Sequence, residues 1–252
     1  MRVGVVQHDI VWEDRAATFA RLTPLVARAV DGGADLVVLS ETFSTGFSMA
    51  AGIGEPEGGP SSRFLLARAA EHGVWLAGSC PEIDRDHPLP YNSFVLAGPD
   101  GTVHRYRKVH PFTHGGEHER YRAGSAPLTV EIGGVRITPF VCYDLRFADL
   151  FWPAALATDL YLGTANWPAA RRLHWQVLLQ ARAIENQAYV VGCNRVGVAG
   201  DGTAHAGDSR VIGPMGELLA TAPEGAETVI WADVDPDEVA AVRDRLRFLP
   251  DR

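Results

Sequence analysis

Short apolar runs alternate with amphipathic stretches along almost the whole chain, and that alternation predicts most of its elements. Residues 2–7 are a nearly continuous apolar run, the mark of a buried strand. Across residues 14–31, Phe19, Leu22, Val26, Ala29 and Val30 recur at helical spacing, with Pro24 a potential kink and Asp31-Gly32-Gly33 a stop. Residues 35–39 are a second buried strand, so the chain opens βαβ, with a right-handed crossover and neighbouring strands expected. A helix over 61–72 and a strand over 74–79 follow a Gly/Pro-rich loop at 50–60. Residues 91–98 and 102–107 flank Pro99-Asp100-Gly101 and read as a hairpin. A second hairpin is expected from 128–132 and 135–141, a helix over 146–156 and a strand over 159–164. Residues 170–187 carry the clearest helical period, with Leu173, Val177, Ala181, Ile184 and Ala188 recurring on one face, the apolar stripe of an amphipathic helix. A strand at 189–194, a turn at Gly213-Pro214-Met215-Gly216, a strand at 228–233 and a helix from Pro236 complete the pattern. Strand–helix alternation mixed with hairpins predicts an α/β fold of sheets covered by helices, in one domain spanning 1–252.

Three chemically capable residues stand at the ends of predicted strands. Glu41 follows the strand at 35–39, at the carboxyl edge where α/β sheets place ligand chemistry; the same position also suits a solvated loop acid or a helix cap. Lys108 ends the first hairpin. Cys142 ends the second, where Pro-Phe-Val-Cys-Tyr-Asp-Leu-Arg-Phe passes from strand to predicted helix, and a helix N-terminus there would favour the thiolate. If the fold unites them, a buried carboxylate can take the thiol proton, the thiolate can attack an electrophilic carbon, and the lysine with the Tyr143 backbone N–H can hold the oxyanion. His110, His114 and His118 are four apart, as metal ligands on a helix would be, but Pro111 and Gly115-Gly116 interrupt that helix. No G-x-S-x-G elbow and no Gly-rich phosphate loop is present.

Composition narrows the partners. The net charge of -8 and the lack of a basic run argue against nucleic acid or an anionic membrane surface. Cys80, Cys142 and Cys193 are odd in number and widely spaced, which predicts a reducing compartment and no disulfide framework. The first apolar run is too short for a signal peptide, and no run approaches the ~20 residues of a membrane helix, so a cytoplasmic protein is expected.

Taken together, Glu41, Lys108 in Arg-Lys-Val-His-Pro-Phe and Cys142 in Val-Cys-Tyr-Asp-Leu-Arg-Phe resemble, in order and spacing, the Glu-Lys-Cys signature of the nitrilase superfamily of carbon–nitrogen hydrolases. The resemblance runs through Ala165-Asn166-Trp167-Pro168, Ala181-Arg182-Ala183-Ile184-Glu185-Asn186-Gln187 and Gly207-Asp208-Ser209-Arg210, and looks closest to the ω-amidase branch. It implies a four-layer αββα sandwich, usually dimerised, and hydrolysis of the side-chain amide of α-ketoglutaramate or α-ketosuccinamate with no metal or organic cofactor. It also implies that Glu117 orients Lys108 or helps to position substrate. Pro111 departs from the pattern, since many members carry a non-proline apolar residue there.

A keto-acid amide brings a carboxylate, so a cation is expected near the site. Arg146, Arg171 and Arg172 are candidates, and each also reads as a surface arginine. Asn166 lies in the matching segment, and Phe43, Tyr143 and Trp167 are read as pocket or core aromatics. Asp144 is expected to cap the helix after the nucleophile. Competing readings are a deaminated-glutathione amidase, an N-carbamoyl hydrolase, a nitrilase, or a non-catalytic binding protein on the same fold.

Overall fold

The computed structural model describes residues 1–251. In chain order the elements are β1 (Arg2–Gln7), α1 (Arg15–Asp31), β2 (Leu36–Val38), β3 (Glu55–Pro56), α2 (Pro60–His72), β4 (Trp75–Ile83), β5 (Tyr91–Ala97) and β6 (Val103–Arg107). Next come α3 (Glu117–Arg120), β7 (Val130–Ile132), β8 (Val135–Val141), α4 (Ala148–Phe151), β9 (Leu160–Ala165), α5 (Arg172–Asn186) and β10 (Tyr189–Asn194). The chain ends with β11 (Val196–Val198), β12 (Ala204–Ala206), β13 (Arg210–Ile212), β14 (Leu218–Thr221), β15 (Thr228–Asp233) and α6 (Pro236–Leu246).

Two mixed sheets result. The first runs β15-β1-β2-β4-β5-β6, with β3 beside β4, and the second runs β14-β13-β10-β9-β8-β7. In the first, β1, β2 and β4 are mutually parallel. In the second, β8, β9 and β10 are parallel. Their inner faces meet in one apolar cluster, which joins Val5, Val38 and Phe94 of the first sheet to Ile137, Leu162 and Val191 of the second. The outer face of the first sheet is covered by Leu22 and Val26 of α1 and by Leu65 of α2. The outer face of the second is covered by Trp175, Leu179 and Ala183 of α5. The layers are therefore helix, sheet, sheet, helix, as expected. No helix among the described residues is long and apolar enough to cross a membrane.

Local rules explain the opening unit. Asp14 caps α1 by accepting from Ala17 N–H at 2.9 Å, and the helix continues through Pro24 to Asp31. Leu22, Val26 and Ala29 face β1 and β2 as the spacing predicts.

Helix α5 corrects the predicted face. Leu173, Val177 and Ile184 are 65%, 54% and 52% exposed, so that stripe points outward. The buried stripe is Trp175, Leu179, Arg182, Ala183 and Asn186. Both stripes have helical spacing, and two polar residues disguise the inner one. Arg182 is tied down by donating twice to the Leu145 carbonyl, at 3.1 and 2.8 Å, and Asn186 donates to the Arg182 carbonyl at 2.8 Å. Fully bonded polar groups can be buried, and here they anchor the segment after Cys142.

The predicted helix at 146–156 is also broken up. Cys142–Arg146 form a 3₁₀ turn, Phe147 is extended, and α4 gives way to a second 3₁₀ stretch at Trp152–Ala157. The short strands β11 to β14 were not foreseen.

Candidate active site

The parallel strands of each sheet point their carboxyl ends toward one region, and the candidate residues meet there. After β2 the chain turns sharply. Thr42 takes a positive φ of 39°, and its N–H donates to Ser79 Oγ at 2.8 Å. That turn drives Glu41 inward, fully buried.

Lys108 arrives from β6. Its N–H extends the hairpin ladder to the Asn92 carbonyl at 3.0 Å, and its own carbonyl accepts from Gly124 N–H at 2.7 Å. A Cβ on Gly124 would lie 2.0 Å from the Arg107 carbonyl oxygen, so only glycine allows this close approach. Glu117 opens the single turn of α3, inside what the sequence reads as plain loop.

These side chains form one buried cluster. Lys108 Nζ donates to Glu41 Oε1 at 2.9 Å and to Glu117 Oε2 at 2.8 Å. Asn92 Nδ2 donates to Glu41 Oε1 at 2.8 Å and to Glu117 Oε1 at 3.2 Å. From the second sheet, Asn166 N–H donates to Glu41 Oε2 at 2.7 Å. Burial alone would lower the Lys108 pKa, but the charges of Glu117 and then Glu41 outweigh it and hold the ammonium well above its ordinary value. Burial pushes Glu117 up, against the pull of Lys108.

Cys142 stands at the end of β8 with φ of 44°, a left-handed conformation that is strained for a residue with a Cβ. The turn is held by Asp144, which reaches back instead of capping a helix ahead. Its carboxylate accepts from Val141 N–H at 3.0 Å, Tyr106 OH at 2.8 Å and His110 N–H at 2.9 Å. The expected thiolate-favouring helix is absent, since only a five-residue 3₁₀ turn follows. Cys142 keeps part of its surface open to the cavity, yet its pKa lies well above the ordinary thiol value. Desolvation is the first cause and the charge of Glu41 the second, with Lys108 opposing. Both effects favour the neutral thiol over the thiolate. The Tyr143 N–H occupies the first turn, where a helix offers no acceptor of its own.

The cluster floors a cavity of about 410 Å³. Of the predicted residues, Glu41, Lys108, Cys142, Tyr143, Arg146, Asn166, Trp167 and Arg171 line it. Glu117 lies behind Lys108. Phe43 does not reach the cavity. It is fully buried among Phe19 and Phe64 under α1 and α2, and Phe47 takes the expected place in the lining. Arg172 is turned away and paired with Asp208 at 2.8 Å and Glu224 at 2.5 Å. Arg146 lies over the Trp167 ring at 4.7 Å, and Arg171 over the Phe112 ring at 5.5 Å. The three spaced histidines part company: His110 meets Asp144 at 2.9 Å, His114 lines the cavity, and His118 is exposed.

A family model described as carbon–nitrogen hydrolase matches residues 2–244. The chain belongs to the carbon–nitrogen hydrolase family. It is 43% identical to the ω-amidase YafV of Escherichia coli K12, over 99% of this chain and 94% of that one. It is 34% identical to a 2-oxoglutaramate amidase of Bacillus subtilis, over 86% and 85%. Among solved structures, XC1258 of Xanthomonas campestris, a CN-hydrolase superfamily protein with an arsenic adduct in its active site, matches with a TM-score of 0.93 and 37% identity, over 100% of this chain and 97% of that one.

Two features of this carbon–nitrogen hydrolase escaped sequence reasoning. Asn92 sits inside a strand that reads as ordinary hairpin, and only its Tyr-Asn-Ser context, polar within an all-buried strand, could have signalled it. His205, with Asp201 and Thr203, lines the cavity from the β11–β12 hairpin. Burial lowers the His205 pKa to about 4, and its Nδ1 has no hydrogen-bond partner among the described residues.

Proposed function

We propose that this carbon–nitrogen hydrolase is an ω-amidase, cleaving the terminal amide of a small 2-oxo dicarboxylic acid monoamide such as α-ketoglutaramate. One observation carries the reading. The cavity that holds Cys142, Glu41 and Lys108 also holds Arg146 and Arg171, and among the described residues neither guanidinium is paired with a carboxylate. Unpaired arginines in a cavity favour an anionic ligand. The names of the relatives from E. coli and B. subtilis point to the same substrate class.

The cluster supports the following chemistry. Glu41 takes the Cys142 proton as the sulfur attacks the amide carbon. The Lys108 ammonium and the Tyr143 N–H hold the tetrahedral oxyanion. Glu41 returns the proton to the departing nitrogen, ammonia leaves, and a thioester remains. Water, deprotonated by Glu41, then attacks the thioester; the acid is released and the Cys142 thiol is restored. Glu117 keeps Lys108 charged and fixed. Arg146 or Arg171 receives the distant carboxylate.

The chain acts as one domain. Two copies pair through the outward stripe of α5, whose Leu173, Val177 and Ile184 would otherwise meet water. Three free cysteines fit a reducing, cytoplasmic setting.

The test is ammonia release from α-ketoglutaramate, glutamine, deaminated glutathione and a simple nitrile, with wild type and Cys142→Ala. Release from the keto-acid amide, lost in the variant, supports the proposal. Release from another compound alone keeps the Glu-Lys-Cys chemistry and removes the ω-amidase assignment.

A further inference from the structure

Asn92 has no role in the scheme above, yet it touches both carboxylates of the cluster. It is 1% exposed, and its single amide nitrogen directs one N–H to Glu41 Oε1 at 2.8 Å and the other to Glu117 Oε1 at 3.2 Å. Its Oδ1 is buried without a partner among the described residues. An orphaned buried carbonyl is destabilising, so packing alone does not account for an amide here. The nitrogen end is what the site uses. A primary amide offers two N–H groups from one neutral atom, and it bridges two anions without adding charge.

The bridge makes the two oxygens of Glu41 unequal. Oε1 accepts from both Lys108 Nζ and Asn92 Nδ2. Oε2 accepts one main-chain N–H, from Asn166. An oxygen already receiving two strong donors is a poor proton acceptor, so the remaining lone pair of Oε2 is the one left for the Cys142 thiol.

We propose that Asn92 is a positioning residue. It saturates Glu41 Oε1 so that Oε2 alone exchanges the proton with Cys142 and with the leaving ammonia, and it keeps Glu117 turned toward Lys108. The inference rests on Glu41 being the base in the reading above.

The experiment compares pH profiles of kcat and KM for α-ketoglutaramate in wild type, Asn92→Leu, Asn92→Asp and Glu41→Gln, with thermal unfolding at each pH. Asn92→Leu removes both donors at similar volume. Its kcat should fall roughly 10–100-fold with KM changed by less than about 3-fold, as for a misaligned catalytic group. The acid limb should move to higher pH, because the ionised base has lost a donor. Asn92→Asp keeps the shape but donates only when protonated, so activity should survive at low pH and fade as pH rises, while the protein stays folded. An Asn92→Asp profile that parallels wild type, or an Asn92→Leu loss that merely tracks the folded fraction, overturns the assignment. Full activity in Glu41→Gln removes the base and the Asn92 inference with it. If wild type cleaves only another amide, the substrate reading fails, and the same profiles on that amide decide Asn92 separately.

Discussion

Asn166 N–H donates to Glu41 Oε2 at 2.7 Å, and its side-chain amide donates to the Glu41 carbonyl at 2.6 Å. Asn166 follows β9 of the second sheet and Glu41 follows β2 of the first, so one residue pair ties the sheets together at the proposed base. Asn166→Ala keeps the main-chain bond and loses both side-chain ones, to the Glu41 carbonyl and to Thr42 Oγ1. The expected result is a kcat loss of about 10–100-fold with little change in KM. A raised KM at constant kcat would instead make Asn166 a substrate contact.

Lys108 is enclosed with two carboxylates. Lys108→Met leaves Glu41 and Glu117 buried without their cation, a change that typically costs about 3–5 kcal/mol of stability. Urea unfolding should show that loss, and turnover should vanish. Glu117→Gln removes one of the two charges and should lower kcat while sparing most of the stability. A variant with normal turnover would separate Glu117 from the catalytic cluster.

The arginines divide by environment. Of Arg146→Met and Arg171→Met, the one that removes the carboxylate's partner should raise KM for a carboxylate-bearing amide by roughly 10–100-fold, the range of a charge-assisted hydrogen bond. Arg172→Met should leave the kinetics alone, because that side chain is bound to Asp208 and Glu224 away from the cavity. Kinetics on an uncharged amide check the reading: there the arginine penalty should disappear.

Acid should weaken the fold through two histidines. Burial lowers His8 and His205 from 6.5 to about 4. His8 fits a neutral ring, with Nδ1 3.0 Å from the Asp9 carbonyl and Nε2 3.0 Å from Ser40 Oγ. Between about 4 and 6.5 the unfolded chain binds more protons than the folded one, so stability rises with pH across that window. The contribution is complete above 6.5 and is lost as pH falls toward 4, on the order of 3 kcal/mol for each ring. Urea midpoints at pH 7 and 4.5 measure the fall, and His205→Phe should make it shallower. An equally steep fall in that variant would assign the acid sensitivity elsewhere.

The outward stripe of α5 offers a test of assembly. Leu173→Glu with Val177→Glu should convert a dimer to a monomer in sedimentation. An unchanged sedimentation coefficient would place any interface on another surface.

How much of this was legible beforehand depended on what each residue does. Glu41, Lys108 and Cys142 sit at strand ends inside recognisable segments, so position and chemistry pointed the same way. Phe43 and Phe47 are four residues apart, and the positive φ values at Thr42 and Gly46 turn the backbone there in a way no linear pattern displays. The α5 faces were confused because Arg182 and Asn186 are buried by bonds to carbonyls that a linear pattern does not display. Strands β11 to β14 are three or four residues long, too short for periodicity to register. Asn92 was hidden because its importance lies in two acceptors 51 and 25 residues away.

The protonated state of Cys142 has a consequence for life among oxidants. Peroxides attack thiolates, and burial holds Cys80, Cys142 and Cys193 all above the ordinary thiol value. A raised pKa leaves little of the Cys142 sulfur as thiolate. In the proposed scheme the thiolate is generated when an amide carbon lies against it and Glu41 draws off its proton, so the substrate unlocks the nucleophile and a passing oxidant does not.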